Sequence, residues 1–213
     1  MLKGTPVETG YYRFLERYLV PWLIGLKLKP NHISLMGLLM SLMAGIAFAY
    51  RPFWGGVMTL LTGLLDTLDG SLARTLGHTK RYGAFLDSVL DRYTELIIYL
   101  GIWCYFYRLG MATPSISLTI LLILFGSLMV SYTRARAEGL GERCFGGWFQ
   151  RGERIILIAV AGIFNSPVGN LIAGPERPWL HNGLLITILL ALAVGTNLTA
   201  LWRFLSVLKS LRR

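Results

Sequence analysis

Apolar residues in this chain fall into six long runs, and the ionisable residues that interrupt such runs are concentrated in two of them. A bilayer core of about 30 Å takes on the order of 20 helical residues per crossing. Segments of that length lie at 32–50, 54–77, 83–107, 114–138, 152–172 and 182–207. Ahead of them, residues 10–28 set Arg13, Arg17 and Lys27 among Tyr11, Phe14, Leu15, Leu19 and Trp22. That is the pattern of an amphipathic helix lying in the membrane interface, with Pro21 bending it. Pro30 followed by Asn31 marks entry into the first crossing. The pattern therefore predicts an all-α integral membrane protein, with an N-terminal interfacial segment (1–30) and a domain of six transmembrane helices (31–213). The longest connectors, Glu142 to Gln150 and Asn165 to His181, are too short for a second domain, and no cleavable signal peptide is expected after the lone Lys3.

Composition agrees with a membrane setting. Of 213 residues, 54% are hydrophobic and only 15% charged, yet the net charge is +10. The basic residues cluster at the ends of apolar segments rather than in one solvated stripe, so anionic headgroups, not nucleic acid, are the expected partners. With six crossings both termini share a side, and only Arg51, Arg108 and Arg177 fall on the other. The positive-inside rule then puts both termini in the cytoplasm, in the plasma membrane of a prokaryote. Cys104 and Cys144 show neither a disulfide framework nor metal-ligand spacing.

The second and third segments carry Asp66, Asp69, Arg74, Asp87, Asp91, Arg92 and Glu95. Charges at such depth are costly against lipid and point to an interior polar site. At about 100° per residue, Asp66, Asp69, Gly70, Ala73 and Arg74 share one arc, while Gly83, Asp87, Asp91 and Glu95 recur every four residues. Two antiparallel helices can set these faces opposite one another near the cytoplasmic end. Four carboxylates so placed repel unless cations lie among them. Hard divalent ions prefer oxygen ligands, and a two-ion site suits phosphoryl transfer. Small residues at Gly70, Ala73 and Gly83 let a nucleotide approach the backbone, and Arg74 suits a diphosphate.

The run Asp66-Thr-Leu-Asp69-Gly70-Ser-Leu-Ala73-Arg74, then eight residues, Gly83, three residues, Asp87, three residues and Asp91, resembles the signature of the CDP-alcohol phosphotransferases at every defined position. The resemblance implies six membrane helices around a cavity open to the cytoplasm, a homodimer, a CDP-linked lipid donor and two Mg²⁺ ions, with Mn²⁺ as the alternative. It makes Asp66, Asp69 and Asp87 metal ligands, and Asp91 a ligand, the general base, or both. Gly70, Ala73 and Arg74 would contact the CDP moiety, with Gly83 packing beside it. Asn31 and Ser34 resemble polar positions that assist nucleotide binding, although a helix N-cap and its neighbour account for them too.

Outside the signature, Arg134, Arg154 and Arg203 lie on the last three segments, where each can point along its helix into the cavity. Three converging cations suit an acceptor that is itself a phosphate ester. With the Ala-Arg-Ala-Glu-Gly-Leu-Gly run around Arg136, the pattern resembles the phosphatidylinositol-phosphate synthase branch, whose acceptor is inositol phosphate. Arg134 departs from that branch, where lysine is expected, so glycerol 3-phosphate stays open as an acceptor. Arg136, Arg143 and Arg151 read equally well as anchors at the membrane face, and Glu95 as a partner for a nearby basic side chain or for a second subunit. From another class, a cation transporter would also bury carboxylates, but would not require the Gly-Ala-Arg face beside them.

Overall fold

Prolines set the starts of three long helices, at the position where a missing N–H leaves no intrahelical bond unmade. These are α3 (Pro30–Tyr50), α4 (Pro52–Thr75) and α6 (Pro114–Gly139). The others are α5 (Arg81–Arg108), α7 (Arg151–Ile172) and α9 (Gly183–Leu211), with a single short turn, α8 (Pro178–His181), before the last. The N-terminal stretch runs as α1 (Pro6–Phe14), one π-helical turn (Leu15–Leu19) and α2 (Val20–Gly25). This computed structural model describes residues 6–77, 81–142, 144, 146–172 and 178–212, and no strand occurs among them. Arg177 and Arg143 lie outside the described residues.

Helix ends follow local chemistry. Thr113 caps α6 by accepting a hydrogen bond from the Ile116 amide at 3.3 Å. Gly110, with φ of +67°, ends α5, and the Met111 amide bonds back to the Phe106 carbonyl at 2.8 Å. A single residue, Arg51, joins α3 to α4. The Arg108 guanidinium donates to the Ala49 carbonyl at 2.8 Å and lies 4.1 Å from the centre of the Tyr50 ring, which ties the ends of α3 and α5 together.

Among the described residues, four helices are long and apolar enough to cross a membrane: α3, α6, α9 and α7 over Arg151–Leu171. Long apolar side chains such as Leu121, Phe125, Val194 and Leu198 point outward on these helices, as a lipid-facing surface requires. The chain is an integral membrane protein. The predicted second and third crossings are unbroken helices, α4 and α5, but their ionisable residues leave them short of that apolarity.

Packing traces a ring in the order α3, α4, α7, α9, α6, α5 and back to α3. Inside it Phe48, Ile102, Phe106, Ile123, Ile158 and Leu192 form the apolar core. Close crossings depend on small residues: a Cβ on Gly162 would meet the Pro52 carbonyl oxygen at 2.6 Å, and one on Gly101 would strike the backbone of Gly45. The N-terminal stretch docks through Leu15, Val20 and Leu23 on Ile33, Leu68 and Leu72. Its π turn ends just before Pro21, which has no N–H to continue an α-helical ladder. Although consecutive in sequence, α4 and α5 barely meet; α3 lies between them and packs along both. The two acidic faces therefore look at one another across a gap instead of through direct packing.

Candidate active site

The gap between α4 and α5 is a cleft lined by Ser34 and Gly37 from α3, Thr62, Asp66 and Asp69 from α4, and Asp87, Leu90, Asp91 and Thr94 from α5, together with Arg151. Spacing of three on α4 and four on α5 turns each pair of aspartates to one face of its helix. One oxygen each from Asp66, Asp69 and Asp87 lies within 4.8 Å of the other two. An oxygen-ligated divalent ion sits about 2.0–2.6 Å from each ligand, so such a group is wide enough to surround one. The donor set, carboxylate oxygens alone, also fits a hard cation such as Mg²⁺ or Mn²⁺. Asp69 is the most enclosed of the three, 6% exposed, and its carboxylate accepts the Ser34 hydroxyl proton at 2.6 Å.

Asp91 is held differently. One of its oxygens pairs with Arg151 at 2.8 Å, and the other faces Arg92 at 3.6 Å. Arg151 also reaches Asp66 at 2.5 Å, so one guanidinium bridges a carboxylate of α4 and a carboxylate of α5. Arg92 in turn donates to the Ser131 hydroxyl on α6. One helical turn deeper, Glu95 is buried and pairs with Arg154 through two guanidinium nitrogens. Both arginines rise from the first turn of α7, where the Gln150 amide donates to the Glu153 carboxylate at 3.2 Å. Cations at a helix N-terminus oppose its dipole. Their place is set by the acidic residues facing them, not by the helix itself.

A family profile described as CDP-alcohol phosphatidyltransferase matches residues 27–198. The chain belongs to this family, whose members are transferases. Among curated relatives, the archaetidylinositol phosphate synthase of Pyrococcus horikoshii is 37% identical over 146 residues, covering 68% of this chain and 74% of that protein. Among solved structures, Mycobacterium tuberculosis phosphatidylinositol phosphate synthase with CDP-DAG bound superposes with a TM-score of 0.74 at 27% identity, covering 91% of this chain and 93% of that one. The same enzyme in complex with manganese and citrate gives 0.73 at 27% identity, covering 89% and 87%.

In this transferase the other signature positions are not among the residues that line the cleft. Asn31 lies beside Gly83, its side-chain oxygen 4.0 Å from where a Cβ on that glycine would stand. Gly70 and Ala73 are half-buried on the face of α4 that carries Arg74. The Arg74 guanidinium donates to the Ser71 hydroxyl at 2.9 Å, stacks 5.2 Å from the centre of the Tyr12 ring and approaches Glu16 at 4.0 Å. The N-terminal stretch thus touches the signature directly, an association that sequence patterning did not foresee.

The three arginines assigned to the acceptor are dispersed in their bonding. Arg134 is half-exposed and pairs with Glu138 at 2.8 Å. Arg154 is 2% exposed and, besides Glu95, donates to the Phe149 carbonyl at 2.8 Å. Arg203 is buried and donates to the carbonyls of Gly146 at 2.8 Å and Val130 at 2.7 Å. Arg134 and Arg154 are both near enough to Arg203 to repel it, so the trio shares one corner, but all three members face protein oxygens in this state. Arg151 is the residue that patterning undervalued. A basic residue in the first turn of an apolar helix reads as a membrane-face anchor, and only the fold reveals two aspartates opposite it.

Proposed function

We propose that this transferase moves a phosphatidyl-type group from a CDP-linked lipid to inositol phosphate and releases CMP. The observation that carries the reading is the meeting of Asp66, Asp69 and Asp87 around one point in a cleft built from the family signature. Inositol phosphate as acceptor is supported by the names of the relatives from Pyrococcus and Mycobacterium, and by the anionic preference of a corner holding Arg134, Arg154 and Arg203.

Bound divalent ions supply charge neutralisation for the donor diphosphate and for the departing CMP. Asp66, Asp69 and Asp87 hold them, and Ser34 fixes the orientation of Asp69. Arg74, with Gly70 and Ala73 leaving room beside it, receives the nucleotide together with Asn31 and Gly83. Asp91 takes the acceptor hydroxyl proton or joins the ligands. The acceptor oxygen bonds to the β-phosphorus as the bond from that phosphorus to the CMP oxygen breaks. Arg134, the most exposed of the three arginines, meets the acceptor phosphate first, with Arg203 and Arg154 behind it. The protein crosses the membrane six times, with α4 and α5 among the crossings, the N-terminal stretch in the interface and both ends in a prokaryotic cytoplasm. It works as a homodimer.

CMP release by purified protein supplied with CDP-diacylglycerol and inositol phosphate, glycerol 3-phosphate or serine tests the reading. Turnover with inositol phosphate alone is expected. Turnover confined to glycerol 3-phosphate would reassign the acceptor, and metal flux into liposomes without CMP formation would favour a transporter.

A further inference from the structure

Arg151 has no task in the reaction just described, yet it is the best-placed cation in the cleft. Its side chain is 16% exposed and bridges Asp66 at 2.5 Å and Asp91 at 2.8 Å, across the gap where α4 and α5 scarcely touch. Its Nε is buried and has no hydrogen-bond partner among the described residues, so the bridge leaves one donor unsatisfied there. Asp66 belongs both to this bridge and to the three-carboxylate group that fits a metal ion.

We propose that Arg151 is a built-in counter-cation, which occupies the position between Asp66 and Asp91 until a second divalent ion displaces it. This inference rests on the metal site of the proposed function and extends it to an order of loading. Asp66, Asp69, Asp87 and Asp91 together carry four negative charges. One divalent ion on the first three and the Arg151 guanidinium still leave the group negative, so the two coexist. A second divalent ion completes neutralisation by itself, and a guanidinium left in the same place would be repelled by it. The first ion therefore binds beside Arg151 and the second binds against it, which makes the two affinities unequal. Displacement also frees Asp91 from a strong donor, returning its oxygen to ligand or base duty.

Mn²⁺ titration of the full-length protein in detergent, with free ion read by electron paramagnetic resonance and no substrate present, tests this. Wild type is expected to bind two ions with clearly different affinities. In Arg151→Gln the second ion should bind at least tenfold more tightly, and the EDTA-treated variant should melt below wild type. Second-site affinity that is unchanged or weaker in the variant would overturn the proposal, since an arginine that only positions its aspartates would be missed by the metal. Arg151→Lys, which keeps a cation but reaches one carboxylate at a time, should tighten the second ion by a smaller factor and serves if the glutamine variant does not fold. In wild type, hydrogen exchange over the first turn of α7 should quicken on saturation with Mn²⁺; no change there would also count against displacement. If neither protein binds Mn²⁺, the metal site itself fails, a result distinct from equal binding by both.

Discussion

At one end of the ring Tyr105, Asn165 and Asn182 form a polar cluster, and at the other Asp66, Asp69, Asp87, Asp91 and Arg151 form a second. The first is neutral and closed. Asn182 accepts from the Tyr105 hydroxyl and from the Asn165 amide, each at 2.9 Å, while Asn165 accepts from the Leu185 backbone amide at 3.2 Å. The second is charged and open. It lines a cleft, binds one arginine with two carboxylates, and leaves the Nε atoms of Arg92 and Arg151 without partners among the described residues. A satisfied neutral cluster joins helices and has nothing left to offer a ligand. A charged cluster with surplus acid is stable only with a cation in it, so its composition already implies a guest. Burial of polar groups alone does not mark a site; imbalance of charge does.

The sharpest break between the two clusters is Asp69→Asn. It should lower transfer by roughly 10³-fold, on the scale of losing a central electrostatic group, and leave the melting temperature unchanged or raised, because a repelling carboxylate is gone. CMP release and thermal unfolding in detergent measure the two effects. EDTA should abolish turnover in wild type, with recovery on adding Mg²⁺ or Mn²⁺.

Next in size is Glu95→Ala, which strands the buried Arg154 and should destabilise by about 3–5 kcal/mol, read as a lower melting temperature. Asn182→Ala orphans groups of the neutral cluster and should cost about 1–3 kcal/mol, with CMP release per folded molecule unchanged. Loss of turnover beyond the folded fraction in that variant would erase the distinction drawn between the clusters. The smallest effect is expected from Glu138→Gln. Its exposed pair with Arg134 contributes about 0.3–0.5 kcal/mol, so stability should barely move, while the KM for a phosphorylated acceptor should fall as Arg134 is released.

The helical fold was largely legible in the sequence. Hydrophobic runs located all six long helices to within a few residues, since their lengths and bounding prolines depend on local chemistry. The signature aspartates were legible for the same reason: spacing on a single helix fixes which residues share a face. What escaped was relational. Nothing in the segments 54–77 and 83–107 says that α3 separates them, so the gap that makes the cleft was invisible. Arg151 was ambiguous because its partners, Asp66 and Asp91, are remote in sequence. The attachment of Arg134, Arg154 and Arg203 to Glu138, Glu95 and the carbonyls of Gly146 and Val130 depends on tertiary geometry that no periodicity encodes.

The shortfall of apolarity in α4 and α5 has a consequence for how the protein is made. An aspartate at the centre of an inserting helix disfavours insertion by about 2.5–3.5 kcal/mol, and both of these helices are synthesised before the α7 arginines that pair with Asp66, Asp91 and Glu95. Arg154 follows Glu95 by 59 residues, and Arg151 leaves the ribosome just ahead of it. Until α7 is made, Asp66, Asp91 and Glu95 lack the α7 guanidinium groups that face them in the folded protein. Only with α7 in place does Arg151 join the aspartates of α4 and α5 in lining the cleft, so the assembly of the cleft is completed by that segment.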